Sequence, residues 1–337
     1  MKKLISIIIP IYNEEKNISF LYEILKKVLL EVVHVYDYEL IFVNDGSSDS
    51  SWSLLQQLAI HDSCIKVLSF SRNFGYQMAL TAGHDYAKGN AIITIDADLQ
   101  DPPELILDMV ARWQEGFHIV YAQRTSRSDG FFKDITAALY YKILHMVSDV
   151  PIPQNVGDFR LIDRAVLEQL KKCRERYRYW RGMVAWTGFK HTFVYFKRPE
   201  RMAGKTGYTW IKLVKLAFDG ITSFSIFPLK IAAYVGVFVI GTGIFMFLYI
   251  CKDAFFYGAR YPLFKWLITI IYIFMGVQFL LMWLLGEYIG RMYEQQKSRP
   301  LYIIQDTIGV DNENHADTHR IFRKHLCYLS KNRHSVT

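Results

Sequence analysis

Two stretches of this chain, Ile231–Ile250 and Trp266–Leu285, run for 20 positions each without a charged residue. A helix rises about 1.5 Å per residue, so about 20 apolar residues cover the hydrocarbon of a bilayer. Two fully buried core helices of that length suit a chain of 337 residues poorly. The pattern predicts two transmembrane helices. Their linker, 251–265, carries three basic residues, Lys252, Arg260 and Lys265. Seven flank the pair outside: Lys205, Lys212, Lys215 and Lys230 before it, and Arg291, Lys297 and Arg299 after it. That bias places both termini on the cytoplasmic side. Met1–Ile9 does not read as a signal peptide, because its short apolar run meets Pro10 and then Asn13-Glu14-Glu15.

The charge is uneven elsewhere too. Residues 171–215 hold 13 Lys or Arg against Glu175 and Glu200, an excess larger than the net +8 of the whole chain. Within 205–228 the apolar positions Trp210, Leu213, Val214, Ala217, Phe218, Ile221 and Phe224 repeat at helical spacing. Lys212 and Lys215 take the other face, so this segment predicts a basic amphipathic helix in the membrane interface. The 51% hydrophobic composition excludes a disordered chain. The four Cys (64, 173, 251 and 327) lie too far apart for a disulfide framework or a metal knuckle.

Residues 1–204 alternate short β-branched runs with longer helical patterns. Strands are expected at Leu4–Ile11, Tyr38–Val43, Ile65–Phe70, Ala91–Ile95 and His118–Ala122. Helices are expected at Glu15–Val33, from Ser50, at Tyr76–Ala87, and from Pro102-Pro103 to Gln114. Such alternation predicts an α/β domain with a mostly parallel, doubly wound sheet, whose ligand lies beyond the carboxyl ends of the strands. The remaining divisions are a two-helix hairpin over 229–290 and a tail over 291–337.

Every polar cluster falls at a strand end. Asp96-Ala97-Asp98-Leu99-Gln100-Asp101 follows the fourth strand. In extended backbone Asp96, Asp98 and Gln100 share a face, a hard-oxygen set suited to Mg²⁺ or Mn²⁺ on a diphosphate. Pro10-Ile11-Tyr12-Asn13-Glu14 ends the first strand and Asn44-Asp45-Gly46-Ser47 the second. Together they place Tyr12, Glu14 and Asp45 where a base and ribose could bind, although each cluster alone reads as turn chemistry. Arg72-Asn73-Phe74-Gly75 ends the third strand and Arg124 the fifth, both suited to phosphate.

Ile-Pro-Ile-Tyr-Asn-Glu at 9–14, Asn-Asp-Gly-Ser at 44–47, Ser-Arg-Asn-Phe-Gly at 71–75 and Asp-Ala-Asp-Leu-Gln-Asp-Pro-Pro at 96–103 resemble glycosyltransferase family 2. The subgroup resembled is the polyprenyl-phosphate glycosyltransferases, which include the bactoprenol glucosyltransferases and, more distantly, dolichol-phosphate mannose synthase. Further matches are Gly157–Leu161, Arg181–Trp186, Asp219–Ser225 and Arg299-Pro300-Leu301-Tyr302. The resemblance implies a GT-A fold and transfer of a hexose, glucose first, from a UDP-sugar to undecaprenyl phosphate, with inversion. Pro10, Tyr12, Glu14, Asp45, Asn73 and Asp96 would hold the nucleotide sugar. Asp96, Asp98 and Gln100 would hold the metal, with Asp98 and Asp158 at the chemistry. Arg124, Arg127 and Lys133 would face the acceptor phosphate. The enzyme would sit in the bacterial inner membrane as a homo-oligomer, with its catalytic domain in the cytoplasm and no nucleic-acid partner. A processive polysaccharide synthase is disfavoured by the lack of a Gln-x-x-Arg-Trp motif. A flippase is disfavoured because the spans hold no ionisable Asp, Glu, Lys, Arg or His, and a non-enzymatic scaffold would not need the Asp96/Asp98 pair.

Overall fold

A computed structural model describes residues 2–125, 153, 155–197, 263–310 and the single positions 245, 248, 252, 255 and 256. The core is an eight-stranded sheet of order β7-β5-β6-β4-β1-β2-β3-β8. Its strands are β1 (Lys3–Ile11), β2 (Tyr36–Asn44), β3 (Ile65–Phe70), β4 (Ala91–Thr94), β5 (Ile119–Arg124), β6 (Val156–Asp163), β7 (His191–Phe196) and β8 (Ile304–Ile308). Only β6 and β8 run against the rest. The sheet is therefore mixed and mostly parallel, as the alternation of elements requires.

The centre of the sheet is apolar on both faces. Ile5 to Ile11 of β1 are all buried, which is the habit of a parallel strand covered by helices on each side. One layer of helices holds α1 (Ile18–Val32), α2 (Ser51–His61) and α4 (Leu105–Gln114). In α1, Ile18, Leu21, Tyr22, Leu25, Val28 and Leu29 repeat every three to four residues and form the buried stripe. The other layer holds α3 (Tyr76–Tyr86), α5 (Arg164–Lys172) and α6 (Trp180–Trp186). Asp163 caps α5 by accepting a hydrogen bond from the Ala165 amide at 2.8 Å.

Three strands were not anticipated, nor were the helices α5 and α6. Strand β6 carries Asp158 and Arg160, charges that interrupt an apolar run. They can be buried because each neutralises the other across one face of the strand. Strand β7 follows α6. Strand β8 comes from the stretch expected to be a separate tail, yet it pairs antiparallel with β3, from Val67–Ile308 to Phe70–Ile304.

Helix α7 (Leu263–Gln296) spans 34 residues and contains the second uncharged window. Among the described residues, no helix is long and apolar enough to cross a membrane. Several side chains of α7 fall outside the description, as does the first window apart from 245 and 248. The expectation of two spans is therefore not confirmed. The amphipathic segment around 210–224, and Arg127 and Lys133, also lie outside the described residues.

Helix α3 approaches the sheet closely at Gly83. A Cβ there would lie 2.3 Å from Ile8 Cγ2 on β1. Gly83→Ala should therefore destabilise the protein by about 1–3 kcal/mol, the usual cost of an overpacked core. Thermal unfolding of the full chain should show the loss, and combining Gly83→Ala with Ile8→Ala, which removes Cγ2, should cost less than the sum of the two single changes. An unchanged midpoint would show that α3 is free to shift.

Candidate active site

The carboxyl ends of β1, β2 and β3 lead into three loops that lock together. After β1, Asn13 takes a left-handed φ of 56°. Its amide donates to Ser47 Oγ at 3.0 Å, and its side-chain oxygen accepts from the Ser48 amide at 2.8 Å. The Glu14 amide donates to Ser51 Oγ, and the Glu14 carboxylate accepts from Asn17 Nδ2 at 2.6 Å. Asp49 accepts from the amides of Glu15 and Ser51. The first loop is thus tied to the second by side chains that replace missing backbone partners.

The second loop is tied to the third by Asp45. This carboxylate is buried and accepts from the amides of Phe74, at 2.6 Å, and Gly75, at 2.9 Å. Burial pushes its pKa up to about 6, against the pull of those two amides and of Arg72. Gly46, beside it, has a φ of +63°, and a Cβ there would lie 2.4 Å from the Arg72 carbonyl carbon. Only glycine allows the two backbones to approach so closely. Pro10 is buried at the end of β1, whereas Tyr12 and Asn73 are exposed at the rim. The structure brings these expected nucleotide residues to one edge. It gives Asp45 and Glu14 a share of the loop scaffolding as well.

The fourth loop differs from the expected geometry. Strand β4 ends at Thr94, and residues 97–99 form a turn in which Leu99 has φ 59°. Alternate residues therefore do not share a face, and the argument that aligned Asp96, Asp98 and Gln100 fails. Asp98 instead accepts from the backbone amide of Gln100 at 3.2 Å. Asp96 accepts from the Tyr76 hydroxyl at 2.6 Å. Burial first, then the carboxylates of Asp101, Asp158 and Asp98, push the Asp96 pKa up to about 8, opposed by the Tyr76 bond. Asp101 is itself buried, a residue sequence reasoning left inside the motif without a role.

Near Asp96 stands Asp158. The β4–β6 ladder ends with Thr94 paired to Arg160, two residues short of each carboxylate, and the Asp158 charge is among those that raise the Asp96 pKa. Asp158 is buried in ion pairs with Arg160 and with Arg181, the latter at 2.8 Å. Burial alone would raise its pKa, but Arg181, Arg160 and Arg124 outweigh it and hold the carboxyl below its ordinary range. Arg124, at the end of β5, lies close by: a Cβ on Gly157 would be 3.4 Å from its Nη2. Arg181 is placed by its neighbour Trp180, whose indole lies flat on His84, 4.2 Å between centroids. The Trp180 indole nitrogen donates to Gln77 O and Thr81 Oγ1 of α3. Arg160, Arg181 and Tyr76 were not singled out from sequence, although Arg160 and Arg181 lie inside strings that carried the resemblance.

The glycosyl transferase family 2 pattern matches residues 6–171. The uncharacterized glycosyltransferase YkcC of Bacillus subtilis (strain 168) is 46% identical over 316 residues, covering 93% of this chain and 97% of that one. The chain belongs to glycosyltransferase family 2. This glycosyltransferase is also similar to a prophage bactoprenol glucosyl transferase homolog of Escherichia coli (strain K12), at 41% identity over 89% of this chain and 98% of that one. The bactoprenol glucosyl transferase of Shigella phage SfV is 40% identical over 90% of this chain and 98% of its own. The GT-A-like mixed sheet fits this membership.

The Asp96 environment sets a sign for pH. Its raised pKa means that the folded enzyme binds this proton more tightly than the unfolded chain. The associated stability is complete below about 3.8 and is lost as pH climbs towards about 8. In buffer free of divalent cations, Asp96→Asn should raise the thermal midpoint more at pH 8 than at pH 5. Equal shifts at the two pH values would place Asp96 in a neutral environment and overturn the assignment.

Proposed function

We propose that this enzyme transfers a hexose from a nucleotide-diphosphate sugar, UDP-glucose first, to a polyprenyl phosphate such as undecaprenyl phosphate at the cytoplasmic face of the bacterial inner membrane. The observation that carries the reading is Asp158 with its arginines. One carboxylate meets three guanidinium groups, from Arg160, Arg181 and Arg124. Guanidinium groups gathered at one place suit the oxygens of a phosphate monoester. Relatives named for bactoprenol glucosyl transfer support the same acceptor and sugar.

The chemistry follows from that acceptor. A phosphate monoester has a second pKa near ~6 and is largely dianionic at neutral pH. Its oxygen can attack the anomeric carbon without losing a proton. The bond from that carbon to the donor diphosphate breaks, and the nucleoside diphosphate departs from the opposite face with inversion. Asp158, held ionised by its arginines, is a poor proton acceptor. Its part is to fix Arg181 and Arg160 and to stabilise positive charge developing at the anomeric centre. Arg124 draws the acceptor phosphate, and Arg127 and Lys133 are proposed to assist it.

Nucleotide recognition is assigned to Pro10, Tyr12, Glu14, Asp45 and Asn73. The divalent ion is assigned to Asp96 and Asp98, with Gln100 beside them. Among the described residues no group of three or more His, Cys, Asp or Glu could hold a metal on its own. The fit instead lies in the crowding of Asp96 by Asp98, Asp101 and Asp158, a repulsion that a cation relieves. The donor diphosphate would supply further oxygens. When bound, Mg²⁺ or Mn²⁺ neutralises charge on that diphosphate.

Anchoring completes the proposal. The acceptor's isoprenoid tail stays in the bilayer, so the site must be held at its surface. Two spans near 231–250 and 266–285 would do this, with 205–228 lying in the interface and both termini cytoplasmic. Support comes from α7, where Ile271, Phe274, Met282, Trp283, Ile289 and Met292 are exposed, as lipid-facing side chains are. Homo-oligomeric assembly belongs to the same reading.

The test is sugar transfer to lipid by the full chain in detergent. Undecaprenyl phosphate and Mg²⁺ would be given with labelled UDP-glucose, UDP-galactose, UDP-N-acetylglucosamine or GDP-mannose in turn. Label should enter the organic phase from UDP-glucose, vanish with EDTA and return with added Mg²⁺. Asp158→Asn should lower turnover by roughly a hundredfold, the scale of losing one oriented electrostatic partner. No transfer from any donor, or near-normal turnover by a folded Asp158→Asn enzyme, would overturn the respective assignment.

A further inference from the structure

The string Arg299-Pro300-Leu301-Tyr302 has no part in the site just described, yet it leads back from α7 into the catalytic sheet. Ser298 turns the chain with φ 49°, and Ile304–Ile308 then adds to the sheet as β8. Gly309 closes this return: a Cβ there would lie 2.7 Å from Ile65 O. Between the turn and the strand sits Tyr302. Its ring stacks on Phe70, with centroids 5.2 Å apart and planes 14° from parallel. Its hydroxyl donates to Asp85 Oδ2 at 2.8 Å.

Those two partners have a common meaning. Phe70 is the last residue of β3, and Asp85 lies in the last turn of α3. The segment between β3 and α3 is Ser71–Gly75, the third of the interlocked loops. Tyr302 therefore bridges the two elements that bracket that loop. The contact continues into the loop itself. Phe70 meets Phe74 edge-on at 5.6 Å, and the Arg72 guanidinium lies over the Phe74 ring at 4.0 Å. The Ser71 amide donates to Ile303 O at 3.1 Å. The Phe74 amide then meets Asp45, which ends the chain of contacts at the nucleotide side.

We infer that Tyr302 is a positioning residue for nucleotide binding: it holds β3 and α3 at the spacing that keeps the amides of Phe74 and Gly75 on Asp45. The inference rests on the donor reading above only for the identity of the ligand. The return segment is tied to the same unit from its other side. Gln295, near the end of α7, accepts from the Arg176 amide and donates to Arg174 O. Arg174 in turn pairs with Asp85 at 2.8 Å, so the grip on α3 is shared between Tyr302 and the segment that α7 rests on. Donor binding is thereby linked to the seating of the long helix.

The test compares wild type with Tyr302→Phe, Tyr302→Leu and Tyr302→Ala in the full chain in detergent. Two readouts are taken: UDP and GDP affinity by calorimetry, and amide hydrogen exchange across residues 71–76. Tyr302→Ala should weaken binding of the preferred nucleotide roughly tenfold and speed exchange at Phe74 and Gly75 by a similar factor. Exchange in β1 and β2 should stay unchanged. Tyr302→Phe keeps the stack on Phe70 but loses the bond to Asp85, so it should fall between wild type and Ala in both readouts. Tyr302→Leu preserves bulk without the stack, so it should follow Ala in both readouts, and it serves if Ala unfolds. In transfer assays the donor KM should rise while the acceptor KM stays constant. Unchanged loop exchange in folded Tyr302→Ala or Tyr302→Leu would overturn the inference. A wild type that binds neither nucleotide would instead refute the donor reading, and loop exchange would still judge Tyr302.

Discussion

A carboxylate taken out of water must be repaid by charges at contact distance, and Asp158 meets that condition with Arg160 and Arg181. Much of the active-site side follows from this. Strand β6 can run antiparallel through the sheet with two ionised residues on one face because they neutralise each other. Helix α6 must approach β6 closely enough to deliver Arg181, and the stack of Trp180 on His84 fixes that approach against α3. Burial keeps His84 uncharged, with a pKa pushed down to about 3, so no further positive charge enters this crowded cluster. The arginines are thus held in place by the fold itself.

The two sides of the cleft have opposite electrostatic character. Around Asp96, carboxylates crowd one another; around Asp158, guanidinium groups gather. Tyr76 stands at the junction, with its hydroxyl on Asp96. Under the proposed function, this division is what would tell a donor diphosphate from an acceptor phosphate.

The sheet was legible in the sequence because a parallel strand buried on both faces must be apolar throughout, and β1 to β4 are short β-branched runs bounded by polar turns. Strand ends were set within a residue or two. The clustering of motifs at the carboxyl edge was legible for the same reason, since topology alone delivers every such end to one side. Strand β6 was not, because its burial depends on the pairing of Asp158 with two arginines, one of them distant in sequence. Strand β8 was hidden by the long helix before it, which masks any signal that residues 304–308 belong to a sheet begun by residue 3. The Asp96-Ala97-Asp98 string was legible, but its geometry was not: a left-handed Leu99 breaks the alternation that extended backbone would have imposed.

The position of β8 bears on how the chain matures. Protein synthesis proceeds from the N-terminus, and domains tend to fold as their residues emerge. Here the catalytic sheet cannot close when residue 204 has appeared. Strand β3 keeps an open edge, with its amides and carbonyls unpaired, while about a hundred further residues are made, including the long α7. Only then does β8 arrive to cover it. The edge closes last, and it closes beside the loop that Asp45 holds. Assembly of the catalytic sheet is therefore ordered in time, with delivery of the long helix coming before the sheet is complete.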